Sequence, residues 1–324
     1  MADYKGIHGG KVQNFSTNPP APIIGQVWYN ETTRTLNYHA TSPAGAWSTG
    51  GNLNTGRAQL SSATRATQGA SLAFGGTSTA THDVTESYNG STWTEVADLN
   101  TAAYSRGGAG ITTSAIAYGG LPPGGATANA ETWNGSTWTE VGNLNTARYH
   151  IRGTGATNTA VIAASGRVPG TNYSIAESFN GTSWTEVGDL NTGKGAGCVA
   201  GILTAAIYFG GSPTITADTD SWNGSSWTEV NNLNTARAQL GGAGLITAAL
   251  AMGGESAAPA ATAVTESWNG TSWTEVNDLS TARRDSSGSG TSTAGLAFGG
   301  SQDPGAATEE WDIPSTVTKS VDTD

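Results

Sequence analysis

ESYNGSTWTEVADLNTA, residues 86–102, decides the fold of this chain because the same phrase returns four more times. The copies are ETWNGSTWTEVGNLNTA at 131–147, ESFNGTSWTEVGDLNTG at 177–193, DSWNGSSWTEVNNLNTA at 220–236 and ESWNGTSWTEVNDLSTA at 266–282. Their second aromatics, Trp93, Trp138, Trp184, Trp227 and Trp273, stand 43 to 46 residues apart, and ten of the eleven tryptophans keep this register. A period in the low-to-middle forties, with short strands and a glycine pair in each unit, predicts the blade of a β-propeller.

Each unit divides into four strand-like segments. The first follows Asn-Thr-Ala-Arg, or Asn-Thr-Gly-Arg in the first unit, and is built of small residues, as in AQLSSAT at 58–64 and AQLGGAGL at 238–245. Small side chains suit strands that converge on an axis. The second is apolar and runs into Gly-Gly, as in SLAFGG at 71–76 and AALAMGG at 248–254, which suits a strand covered on both faces. The third resembles VTESYN and the fourth TWTEV, with Asn-Gly between them. Asn-Gly flanked by β-formers predicts a two-residue type I′ hairpin turn. The aromatics of the third and fourth segments are expected to bridge neighbouring sheets, each burying roughly 150–250 Å².

The count predicts six blades. The Gly-Gly segment appears six times if Ala164-Ser165-Gly166 is read as a decayed copy, and the third strand appears six times, ending at Glu309-Glu310-Trp311-Asp312. The sixth unit then meets Pro314 and lacks a fourth strand, while an orphan Trp-x5-Leu frame at Trp47–Leu53 precedes the first complete unit. The strand around Trp47 is therefore expected to pair with the strand around Trp311, removing two open sheet edges. The expected organisation is all-β: an N-terminal docking segment with a β-hairpin at 1–40, a six-bladed propeller at 41–314, and a C-terminal tail at 315–324.

Composition narrows the function. Fourteen Lys and Arg stand against 25 Asp and Glu, a formal charge of −11, which argues against a nucleic-acid backbone as partner. Cys198 is the single cysteine, so no internal disulfide forms. No run approaches a membrane span, and the first residues hold no apolar core of signal-peptide length.

The apolar run into Gly-Gly, the aromatic after it and the tryptophan shortly beyond resemble the Kelch motif over residues 41–313. Tyr88 and Trp93 stand one residue closer than is usual in Kelch repeats, and residues 164–166 depart from the glycine pair. This resemblance implies a propeller and, most often, a protein-binding scaffold; it fixes no chemistry. Residues 20–38, with Gly25-Gln26-Val27-Trp28-Tyr29-Asn30 and Leu36-Asn37-Tyr38, look like a hairpin of bacteriophage tail-fibre and other virion proteins. Repeats rich in NGSTWTEV and LNTAR also look like those of marine tailed phages.

Candidate site residues follow from departures and from series. A basic residue recurs at the head of the innermost strand: Arg57, Arg148, Lys194, Arg237 and Arg283, with Ala103 breaking the series. It forms either a cationic ring at a channel mouth or ion pairs with the carboxylates in register, Glu86, Glu131, Glu177, Asp220, Glu266 and Glu309. Exposed pairs would contribute only about 0–1 kcal/mol each. The segments between Gly-Gly and the third strand are irregular, and a four-stranded blade sends them all to one face. Rigid scaffolds carry recognition on such loops. His82, Arg167, Asn172, Tyr173 and Asp303 are their most chemically capable side chains, while Trp28, Tyr29 and Tyr38 are the expected docking residues of the hairpin.

Enzyme readings find less support. His8, His39, His82 and His150 occupy unrelated repeat positions, and no cluster has metal-ligand spacing. No catalytic residue, metal or cofactor is expected. The expected function is a non-enzymatic phage virion protein that attaches to a host surface or decorates a capsid or tail through its loop face. A scaffold without a receptor and a glycan hydrolase are the alternatives. The expected partners are other virion proteins through residues 1–40 and a host surface glycan or protein, with self-association left open.

Overall fold

A computed structural model describes residues 12–20, 26–39, 45–257, 260–301, 305–313 and 318–321. Every regular element among them is a β-strand. The chain divides into two compact units, Ala46–Asp312 and a smaller one made of Met1–Gly45 with Ile313–Asp324.

The larger unit is propeller-like and holds six four-stranded antiparallel sheets. The first contains Ser61–Ser62, Ser71–Phe74, Thr85–Tyr88 and Trp93–Glu95; the second Gly107–Ile111, Ser114–Tyr118, Ala130–Trp133 and Trp138–Val141. The third contains Arg152–Thr157, Ala160–Ala164, Ala176–Phe179 and Trp184–Val187; the fourth Cys198–Ile202, Ala205–Phe209, Thr219–Trp222 and Trp227–Val230. The fifth contains Gly241–Leu245, Ala248–Met252, Thr265–Trp268 and Trp273–Val276. The sixth takes Ser287–Gly290, Ala294–Phe298 and Thr308–Asp312, and Ala46–Thr49 is its fourth strand, with Trp47 opposite Trp311.

First strands of successive sheets lie side by side, and that of the sixth lies beside that of the first. Their small residues follow from this closeness: a Cβ on Gly108 would stand 2.4 Å from the Ser62 carbonyl oxygen. Just ahead of each first strand stands a residue with φ between 53° and 57°: Gln59, Ser105, His150, Ala196, Gln239 and Asp285. Each donates its N–H to the carbonyl of its counterpart one sheet earlier, and Gln59 donates to Asp285. The six bonds, 2.6–3.0 Å long, thus run in a cycle.

The second strands are buried along nearly their whole length, and their ends pack against the fourth-strand tryptophan of the next sheet. Phe74 meets Trp138 at 5.0 Å, Tyr118 meets Trp184 at 4.9 Å, Phe209 meets Trp273 at 4.9 Å and Phe298 meets Trp93 at 4.8 Å between ring centroids. The aromatic repeat is therefore an inter-sheet core. At the decayed position Ser165 keeps the left-handed backbone of the first glycine of the pair, with φ 65°, and its hydroxyl donates to the Tyr208 phenol at 3.0 Å.

The Asn-Gly turn departs from the two-residue expectation. Glycine alone takes positive φ (Gly90 90°, Gly270 93°), and the connection spans four residues between paired aromatics such as Tyr88 and Trp93. The Asn89 side-chain oxygen accepts the N–H groups of Ser91 and Thr92 at 3.0 and 2.9 Å, so the asparagine folds the loop through its side chain rather than its own φ.

Among its described residues the smaller unit is one sheet. Val27–Asn30 and Thr35–His39 form the expected hairpin; Gln13–Phe15 adds to Val27–Asn30 in parallel, and Thr318–Val321 adds to Thr35–His39 antiparallel. Two strands were not expected: residues 13–15 pair within their own chain, and part of the expected 315–324 tail is a strand of this sheet. Both segments are short and have no alternation strong enough to reveal a partner so distant in sequence.

Candidate functional site

The basic series is buried and paired, and it is complete. Arg148, Lys194, Arg237 and Arg283 meet Glu177, Asp220, Glu266 and Glu309 at 2.5, 2.7, 2.9 and 2.6 Å, and Arg57 pairs with Glu86. Where Ala103 breaks the series, Arg106 reaches back to Glu131 at 3.5 Å, so all six sheets carry the pair. The pairs are not exposed as the sequence reading supposed: both partners lie among the buried polar residues in every case. Burial pulls the Arg106, Arg237 and Arg283 pKa values down, and the carboxylate beside each pushes back up.

Each carboxylate also holds the chain that enters its sheet. Glu86 accepts the Asn54 backbone N–H at 2.7 Å and its side-chain amide at 3.0 Å, and that amide also bonds the Trp93 carbonyl. The same set joins Asn100 to Glu131, Asn145 to Glu177 and Asn234 to Glu266. The Leu-Asn-Thr segment, Leu-Ser-Thr before the sixth sheet, is thus a clip that fastens each crossing to the next sheet. Each cation is thus buried and ion-paired within the fold, although guanidinium nitrogens of Arg106, Arg148, Arg237 and Arg283 keep no hydrogen-bond partner among the described residues, and the series forms no exposed cationic ring.

The irregular segments after the second strands do share one face with the strand heads. Backbone bridges join Ala58 to Thr77, Tyr104 to Leu121, Tyr149 to Arg167, Gly195 to Ser212 and Ala238 to Glu255. This face carries two clefts. One, about 620 Å³, is lined by Arg57, Ala58, Thr77, Ser78 and Ser301; the other, about 410 Å³, is lined by Lys194, Ser212, Pro213 and Thr216. Both volumes suit small-ligand sites. His82 stands beside the first, its Nε2 2.7 Å from the Ser78 hydroxyl, and burial foremost, then Arg57, lowers its pKa while Asp83 opposes them.

Arg167 and Asn172 face each other across a two-stranded hairpin, Arg167–Val168 with Thr171–Asn172, and Tyr173 closes it by donating its N–H to Gly166 at 2.8 Å. His82 lies in the corresponding loop of the first sheet, so the expected residues form no single cluster. Asp303 lies outside the described residues. The sequence reading passed over Tyr149 and Arg152 and gave His150 no role; Tyr149 lies under Arg167, and His150 lies within electrostatic reach of both Arg167 and Arg152. Their signal was local: the third unit enters its first strand through Tyr-His-Ile-Arg, where the first, fourth and fifth units carry Ala-Gln-Leu-Ser, Gly-Ala-Gly-Cys and Ala-Gln-Leu-Gly.

Arg152 lines a cavity of about 30 Å³ between the first strands, with Ser61, Ser62, Cys198 and Ser287. Its guanidinium donates to the Gly197, Arg106 and Ile151 carbonyls at 3.1, 3.4 and 3.2 Å. Burial pushes the Cys198 thiol up to about 11, so it stays protonated. Among the described residues no three His, Cys, Asp or Glu side chains are grouped to hold a metal ion.

In the smaller unit Trp28 is fully buried, its indole N–H donating to the Asn18 side chain at 3.2 Å. It is a core residue and not a docking residue. Tyr29 and Tyr38 are half-buried.

No protein-family model matches the chain, and no curated protein matches it.

Proposed function

We propose that Ala46–Asp312 is a six-bladed, Kelch-like propeller closed by its N-terminal strand, and that it serves as a non-enzymatic recognition module of a bacteriophage virion. Residues 1–40 fasten it to other virion proteins, and the loop face meets a glycan or protein of the host surface. One observation carries this reading. The repeated tryptophans, leucines and ion-paired residues are used up in sheet-to-sheet packing, with only the Thr-Glu of the fourth strands and the turn residues left outside, whereas the variable residues and both clefts gather on one face. A module copied on a particle gains avidity from many weak contacts without new chemistry. The cycle of hydrogen bonds at the strand heads and the Trp47–Trp311 pairing support closure. The virion assignment rests on the sequence resemblance of the hairpin and the repeats.

The test combines three measurements on the full chain. A glycan array is expected to show binding to at least one glycan class, and a reducing-end assay on the bound glycan is expected to show no cleavage. Antibodies against residues 167–173 are expected to decorate intact particles. Release of reducing ends would make the protein a hydrolase. Loops inaccessible on the particle, with no glycan bound, would make it a scaffold.

A further inference from the structure

Arg167 is unlike the other arginines of Ala46–Asp312. Six of the sheet-head cations are held by carboxylates, Arg284 pairs with Glu255, and Arg65 and Arg152 donate to backbone carbonyls. Arg167, half-buried, makes no side-chain hydrogen bond and no ion pair among the described residues, and its Nε is buried without a partner. What holds it is an aromatic face: its guanidinium carbon lies 5.3 Å from the centroid of the Tyr149 ring. The backbones of the two residues are bonded in both directions, at 2.8 and 3.0 Å. Tyr149 is in turn set edge-on to His150, with centroids 5.1 Å apart.

The surroundings of His150 are positive, and the carboxylate of Asp285 acts on Arg152. Burial, Arg167 and Arg152, in that order, bring the His150 pKa down to about 3, and no carboxylate acts on it in the other direction. The chain as a whole carries a formal charge of −11, so an unpaired guanidinium held by a ring is an exception to its own electrostatics. A fork fixed from behind by an aromatic ring is pre-organised for a planar, bidentate acceptor.

We propose that Arg167, on its Tyr149 platform, binds the carboxylate of an acidic sugar residue, with Asn172 and Tyr173 of the same hairpin meeting the sugar's hydroxyls. A carboxylate matches one free guanidinium, whereas a phosphate dianion calls for a second cation, and the nearest candidates are committed to Asp220 (Lys194) and to carbonyls (Arg152). The overall negative charge favours a short acidic saccharide over a long polyanion. This inference rests on the loop face being the contact surface.

The test is calorimetric titration of the full chain with trigalacturonate, its methyl ester and inorganic phosphate. Trigalacturonate is expected to bind, the uncharged ester to bind at least about tenfold more weakly, and Arg167→Gln to lose about tenfold, the usual scale of a charge-assisted bond. Arg167→Lys is expected to recover only part, and unchanged melting temperatures establish that the variants fold. Equal affinity for acid and ester, indifference to Arg167→Gln, or no binding at about 10 mM trigalacturonate, far above the range of specific recognition, would overturn the proposal. Phosphate binding as tightly would reduce the site to one for any oxyanion and overturn the saccharide assignment. Array binding of neutral glycans that ignores Arg167→Gln would sink this site and leave the loop-face reading standing.

Discussion

At the scale of single residues the repeat is informative where it fails. The indole N–H of Trp93 donates to Thr308, Trp138 to Thr85, Trp273 to Thr219 and Trp47 to Thr265, each threonine standing on the third strand of the preceding sheet. Trp184 and Trp227 have no such partner, and their indole nitrogens are buried and unpaired. The reason is visible in the alignment of units: the threonine position holds Ala130 and Ala176 there. Ala130→Thr and Ala176→Thr are expected to restore the bond, each adding about 1 kcal/mol. Their melting temperatures should rise by roughly 2–4 °C each, as expected for a unit of this size. A fall in both would mean that the sheets cannot admit the extra methyl. The same alignment made Arg57, Arg148, Lys194, Arg237 and Arg283 legible as a series with carboxylates in register, one of two readings left open. Arg106 stayed hidden because it acts from three residues downstream, and a register argument cannot see a side chain reaching back.

At the scale of elements, the strands, their order and their apolar faces were legible because each is repeated with its own chemistry. Turn geometry was not, since Asn-Gly-Ser-Thr offers an asparagine oxygen to two N–H groups, and that local bond wins over the type I′ turn. Nor was the joining of first strands by left-handed residues, because Gln59, Ser105, His150, Ala196, Gln239 and Asp285 share no side-chain type. His150 makes that junction sensitive to acid. Burial, then Arg167 and Arg152, lower its pKa from 6.5 to about 3, so below pH 6.5 the unfolded imidazole takes a proton that the folded one refuses. The stability it contributes is whole above pH 6.5 and drains away as pH falls towards 3, by up to about 1.4 kcal/mol per pH unit. Asp285, whose pKa burial raises, works the other way but is common to any His150 variant. Asparagine tolerates positive φ, so His150→Asn is expected to fold and to lose part of the decline in urea midpoint between pH 7 and 4.5. Parallel declines in the two proteins would show that the imidazole is not held neutral.

At the scale of the whole molecule, the closed propeller proposed above needs a device that makes the last sheet meet the first. The sequence displayed that device as a surplus at one end and a deficit at the other. The structure supplies its parts: Ala46–Thr49 registers on Thr308–Asp312, Trp47 lies 5.4 Å from Trp311 between centroids, and its N–H reaches Thr265 in the fifth sheet. The clip at Leu53–Arg57 then fastens this strand to the first sheet through Glu86. A chain of residues 46–313 and one of residues 52–313 differ by little more than this strand. The longer is expected to melt cooperatively, and the shorter to melt at least about 10 °C lower, given several lost backbone bonds and an uncovered tryptophan. Because an unpaired Thr308–Asp312 edge also invites strand addition between molecules, the shorter chain should aggregate in a concentration-dependent way. A peptide of residues 45–52 added in trans should suppress that aggregation by occupying the edge. Equal melting temperatures for the two chains would mean that the cycle of strand-head hydrogen bonds, rather than the borrowed strand, holds the sheets together.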